Sequence, residues 1–208
     1  MGHLWLFFGL VFGVVILPGM DMAFVLGTAL VGGRRAGLAA VGGLVAGGLC
    51  HVVMAASGIA VLLAVLPTAF NALLVAGAAY VAWLGVGLWR TARMLTVDAP
   101  TTLYSPAAAF GRAALTNLLN PKAYVFMFAV FPQFLRPEQG RLAAQAAVLA
   151  AIISATQAGV YGAVVLLADA VRGWLQRHPR ANLVLARGVG ALLILAAIAT
   201  VAQGWRRV

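Results

Sequence analysis

The chain is 208 residues long, 64% of them hydrophobic and only 9% charged, with a mean hydropathy of +1.04. That profile excludes an ordinary soluble globular domain, and the apolar stretches leave no room for a nucleotide-binding domain or an extended linker. The net charge of +10 does not indicate nucleic acid either, because the basic residues are scattered between apolar segments instead of forming one patch.

A membrane span needs roughly 20 mostly apolar residues, and six stretches qualify: about 4–31, 38–66, 69–89, 113–135, 142–170 and 185–205. The expectation is an all-α polytopic membrane protein. The first stretch lacks a basic leader and a small-x-small cleavage site, so it reads as a retained span and not a signal peptide. It is interrupted at PGMD, Pro18 to Asp21. Proline in a helix has no N–H and clashes with the carbonyl four residues back, so Pro18 frees the Val14 carbonyl. In lipid such a group needs a partner, which points the break inward.

After GRRAG (Gly33–Gly37), the second stretch carries Gly43, Gly47, His51, Met54 and Gly58 along one face. Such a stripe admits another helix closely, with His51 in the seam. His51 has two readings: a hydrogen-bonded packing residue, or a proton relay, since an unperturbed imidazole titrates near pH ~6.5. Cys50 is the single cysteine, which rules out an internal disulfide, a dithiol electron carrier and a cysteine metal cluster. Ser57 and His51 lie six positions apart, about 240° around a helix, so an intramembrane serine-protease dyad is excluded. No GxxxxGK[ST] motif supports direct ATP use, and no enzyme activity, cofactor or resident metal is expected.

The connection after the third stretch, RTARMLTVDAPTTLYSPAAAFGR, is the longest polar segment and contains Asp98, Pro100 and Pro106. It divides the chain into 1–105 and 106–208, with three spans in each half. An odd number of spans per half makes equivalent helices run in opposite directions, which is the arithmetic of an inverted repeat. The fourth stretch is broken like the first, at NPK: Pro121 frees the Asn117 carbonyl, and Lys122 follows. Charges at mid-bilayer cost roughly 2.5–3.5 kcal/mol each on insertion scales. Asp21 and Lys122 are therefore expected to approach each other or to share a polar cavity where the two broken spans cross. Both a locking ion pair and a transport site fit that expectation. Thr116, Asn117, Asn120 and Gln157 can bind a polar solute or satisfy freed carbonyls, with Asn120 favoured because it flanks the break. In the fifth stretch Ser154, Gln157 and Tyr161 share a face, and Asp169 reads as a surface pair with Arg172.

Nine arginines (34, 35, 90, 93, 112, 172, 177, 180 and 187) fall in the first, third and fifth connections, and four (136, 141, 206 and 207) in the fourth connection and the C-terminus. The positive-inside rule then puts the odd connections in the cytoplasm and both termini outside.

PGMDMAFVLG, GRRAG, the glycine-rich second stretch with His51, GAAYVAWLG (Gly77–Gly85) and FGRAALTNLLNPKAYVFMFAVFPQF (Phe110–Phe134) resemble the LysE/RhtB superfamily of amino-acid exporters almost end to end. The resemblance implies six spans in two inverted three-helix units, in a bacterial inner membrane, and export from the cytoplasm driven by the proton motive force. It also implies that Pro18, Gly19, Asp21, Asn120, Pro121 and Lys122 line the central site. The family usually reads PGP where this chain has Pro18, Gly19 and Met20, so a milder first break is expected. The partners implied are an amino acid, protons and the lipid bilayer. An ion channel, or an exporter of another small solute such as a metal ion, stays open, as do the substrate and a homo-oligomer.

Overall fold

The computed structural model describes residues 2–17, 19–57, 67–91, 105–136, 138 and 140–204. Pro18, Gly58, Asp98, Pro100, Arg206 and Arg207 lie outside the described residues, as does the side chain of Arg172. The described elements are all helical: α1 (Gly2–Ile16), α2 (Met20–Ala56), α3 (Pro67–Thr91), α4 (Pro106–Leu118), α5 (Pro121–Ala129) with a 3-10 turn (Phe131–Phe134), α6 (Leu142–Arg177) and α7 (Pro179–Gly204).

The two breaks expected from the prolines are found. α1 stops at Ile16 and α2 starts at Met20, leaving three residues between helices, against two between α4 and α5. Gly19 caps α2 with extended backbone (φ −169°, ψ −167°). An N-cap residue leaves the helical region whatever follows it. Met20 at the first helical position loses nothing by not being proline, because that N–H has no intrahelical partner.

As a straight rod the 37 residues of α2 would run about 56 Å, well beyond a hydrocarbon core of about 30 Å. Gly33 resolves this: its φ of 77° and ψ of −176° interrupt the helix, a left-handed backbone that glycine alone adopts without strain. The chain doubles back there. A Cβ on Gly37 would lie 2.9 Å from the Ala29 Cβ, whereas eight residues along one helix separate atoms by about 12 Å. The two arms are 20–32 and 34–56, and Arg34 and Arg35 stand exposed at the bend.

Two polar connections are shorter than the sequence indicates. Residues 106–112 are helical, because the Ser105 side chain accepts the Ala108 N–H at 3.2 Å and Pro106 occupies the first turn of α4. The span expected to end near residue 170 continues to Arg177, and α7 starts at Pro179 instead of 185. Only His178 separates them, its Nδ1 2.9 Å from the Trp174 carbonyl and its ring stacked on that indole. Hydropathy marks where apolar residues stop; it does not mark where helical hydrogen bonding stops.

One core joins α1, both arms of α2, α4, α5 and α6, and a second joins α3 and α7 to the 20–32 arm through Met20 and Ala23. Phe7 of α1 sits among Phe126, Phe131 and Phe134, with ring centroids 4.9–6.5 Å away, which fixes α1 against α5. The polarity is inside out relative to a soluble protein. Trp5 and Leu167 are 73% and 70% exposed, while Asp21, His51, Asn117, Asn120 and Gln157 are buried, an arrangement that suits a lipid solvent. Among the described residues, Met20–Ala56, counted through its bend at Gly33, and Leu142–Val171 are long and apolar enough to cross a membrane by length and composition, and His3–Ile16, Leu74–Gly87 and Leu183–Ala199 are shorter apolar helices.

Candidate functional site

The helices that follow the two breaks carry the two charges at the same position. Gly19 is the N-cap of α2, so Met20 is its first residue and Asp21 its second; Asn120 is the N-cap of α5, so Pro121 is first and Lys122 second. Counted from the prolines the charges look inequivalent, three residues on in one case and one in the other, and this hid the correspondence in the sequence. A carboxylate in the first turn is favoured by the helix dipole and an ammonium there is not. Lys122 finds its compensation across the molecule, where Nζ donates to the Leu17 carbonyl at 3.0 Å, just past the C-terminal end of α1. Asp21 reaches across in the same way: its Oδ2 accepts from Asn117 Nδ2 at 2.9 Å, in the last turn of α4. Each charge thus binds the end of the other half's broken helix.

Asn117 is the hub of the site. Besides holding Asp21, its backbone carbonyl accepts from the Asn120 N–H at 3.0 Å and lies 2.9 Å from His51 Nε2. A carbonyl only accepts, so Nε2 of His51 carries the hydrogen. This is the partner expected for the carbonyl freed by Pro121. The Tyr124 ring stands edge-on to the imidazole, centroids 4.5 Å apart. Asn120, which the sequence favours for solute binding, caps α5, its Oδ1 accepting the Lys122 N–H at 3.0 Å, while its side chain also meets Asp21.

Gly19, Asp21, His51, Asn117, Asn120, Lys122, Gln157 and Tyr161 line one cavity of about 60 Å³, measured as space open to the centres of water-sized spheres. A water needs roughly 10–15 Å³ on that measure, so the space holds a few waters or a small solute. Asp21 and Lys122 share this chamber without pairing directly: Asp21 accepts from the Asn117 amide and Lys122 donates to the Leu17 carbonyl. Pro121 is buried at the start of α5 without lining the chamber. Thr116 does not face it either: its hydroxyl donates back to the Arg112 carbonyl at 2.8 Å. Pro18 lies outside the described residues. The apolar part of the wall was missed in the sequence. Val11, Val14 and Val15 form it on α1 and Ile153 on α6; the step of four from Ile153 to Gln157 to Tyr161 was the signal that could have shown it.

Three oxygens of this site have no hydrogen-bond partner although buried: Asp21 Oδ1, Asn117 Oδ1 and Gln157 Oε1. Each unpaired acceptor costs about 1–3 kcal/mol. Asp21 and Asn117 stand beside the two breaks, and Gln157 lies on the unbroken α6.

The model of the LysE type translocator family matches residues 12–204. The chain belongs to that family. The chain is 33% identical over 178 residues to a homoserine/homoserine lactone efflux protein of Salmonella typhimurium, covering 86% of this chain and 85% of that protein. It is 40% identical over 136 residues to an uncharacterized membrane protein of Vibrio cholerae (65% and 66% covered), and 33% over 137 residues to a leucine efflux protein of Klebsiella pneumoniae (65% and 64%). No solved structure matches it. The chain is therefore a helical membrane protein of a transport family, which argues against catalysis as its task.

Proposed function

We propose that this protein is a secondary exporter that moves amino acids or related small zwitterions out of the cytoplasm by proton antiport. One observation carries this reading: an acid and a base at matched positions of two broken helices share a single chamber. A zwitterion presents the complementary pair, its carboxylate to Lys122 and its ammonium to Asp21, at helix ends that favour ions. A proton arriving from outside neutralises Asp21 and removes its hold on the ammonium. The solute then leaves outward while the proton continues inward. The efflux proteins among the relatives point the same way.

The same reading takes the chain as six spans in two inverted three-helix units, 1–105 and 106–208, in a bacterial inner membrane with both termini outside. The packing supports it in pairs. α1 lies against α6 and the 34–56 arm against α4, the 34–56 arm against α6, and α3 against α7; exchanging the halves maps this set onto itself. The test is flux from proteoliposomes loaded with labelled amino acids, with and without an inward proton gradient. Efflux accelerated by the gradient supports antiport, and efflux unchanged after its collapse would refute it.

A further inference from the structure

The chamber has a shortage of donors in one region and a surplus of apolar wall in another, and together they define what fits. Asp21, Asn117 and Gln157 are 7%, 1% and 6% exposed, and each carries one acceptor oxygen without a donor. The amide orientation of Asn117 is fixed, since its Nδ2 is given to Asp21. The Asn117 and Gln157 oxygens sit in the space that Gly47 and Gly48 leave: a Cβ on either glycine would come within 2.8 and 2.9 Å of them. No water-sized sphere touches these oxygens in this structure, so a donor in the chamber they border meets them only once the packing around them opens. Three unpaired acceptors, one of them anionic, match the three N–H bonds and single charge of a primary ammonium. An N-acylated amine brings one donor and no charge. Among the described residues Asp21 is the sole acidic side chain in the lining, and the apolar wall, which includes Val11, Val14, Val15 and Ile153, is aliphatic but for Phe126. A second cationic group on the solute would meet no counter-charge there.

We propose that the Asp21, Asn117 and Gln157 oxygens form a three-acceptor seat for a primary ammonium, with the aliphatic wall beside it selecting neutral amino acids over dibasic ones. Gln157 is then a specificity-determining residue for the free amine. This rests on the exporter reading and deepens it.

The experiment is competition against labelled L-leucine on the full chain in nanodiscs, using L-leucine, N-acetyl-L-leucine, 4-methylpentanoate (leucine without its ammonium) and L-lysine. The expected result is that the acetylated and amine-free analogues bind at least about 100-fold more weakly than leucine, and lysine at least about tenfold. Gln157→Met, which keeps the length of the side chain and removes the acceptor, weakens leucine about tenfold and leaves 4-methylpentanoate unchanged. Equal competition by N-acetyl-L-leucine or by lysine overturns the seat. So does a Gln157→Met protein that loses leucine and 4-methylpentanoate alike, the signature of a merely structural glutamine. If the variant fails to fold, the analogue panel on the unaltered chain still decides. Binding of no amino acid at all overturns the exporter reading along with the seat, whereas binding of leucine and lysine alike overturns the seat alone.

Discussion

Asp21 is the group whose loss separates a carrier from a lock. Asp21→Asn keeps an oxygen for the Asn117 amide to bond and removes the charge, so the fold is expected to survive while gradient-driven efflux falls at least about tenfold, or about 1.4 kcal/mol in the barrier. Reconstituted flux with and without a pH step measures it; a variant that still responds to the gradient removes Asp21 as the proton carrier. His51 makes the opposite prediction. Its Nε2 hydrogen is committed to the Asn117 carbonyl, a role that the N–H of a glutamine side chain can take over. His51→Gln is therefore expected to keep coupled efflux within about threefold, and His51→Leu to lower the melting temperature by leaving part of a buried carbonyl unsatisfied, at about 1–3 kcal/mol. Loss of coupling in the glutamine variant would make the imidazole a relay. The sequence supplied both charges, because an acid and a base in long apolar runs are conspicuous. It did not single out Asn117 as the hub, since asparagine beside a proline break serves equally as cap, as solvator of a carbonyl or as ligand, and only the crossing of the two halves decides among them.

Helix ends and close approaches account for most of what the sequence left unread. The reversal between residues 31 and 38 was legible, but its narrowing to one positive φ at Gly33 was not, because nothing in GRRAG distinguishes that turn from an ordinary loop. The glycine stripe was readable as a seam, but its partner was not, because α4 lies more than 60 residues further along. The stripe packs on α4: a Cβ on Gly43 would run into the Phe110 carbonyl oxygen and lie 2.9 Å from the Ala113 Cβ, while Gly111 has nothing within 4 Å. Since the obstruction is backbone, no rotamer relieves it. Gly43→Ala is expected to destabilise the detergent-solubilised protein by about 1–3 kcal/mol, and Gly111→Ala to leave it unchanged or slightly more stable. Thermal melts of both variants measure the difference. Equal melting temperatures would mean that α2 and α4 do not meet at this register.

The relation between the halves makes a demand that neither half makes alone. If Asp21 and Lys122 occupy equivalent second positions on helices related by inverted symmetry, what the fold requires of that pair is one charge of each sign, each satisfied by the opposite half. A lysine in place of Asp21 would stand beside the Asn117 side chain with its cation at a helix N-terminus and a second lysine across the chamber, so Asp21→Lys alone leaves two buried cations and no anion. Breaking a buried charge arrangement by removing one sign costs about 3–5 kcal/mol, enough to abolish folded yield in a marginally stable protein. Adding Lys122→Asp returns one charge of each sign, and now the carboxylate sits at the start of α5, where the dipole favours it. The double variant is expected to recover most of the monodisperse yield lost in Asp21→Lys, read by size-exclusion chromatography of a fluorescent fusion. Recovery of yield need not bring back transport, because the Leu17 carbonyl that held Lys122 and the Asn117 amide that held Asp21 do not exchange with the charges. A double variant as poorly folded as the worse single one would show that the two positions are tied to their own neighbours and not to each other, and the twofold relation between the breaks would then carry no energetic meaning.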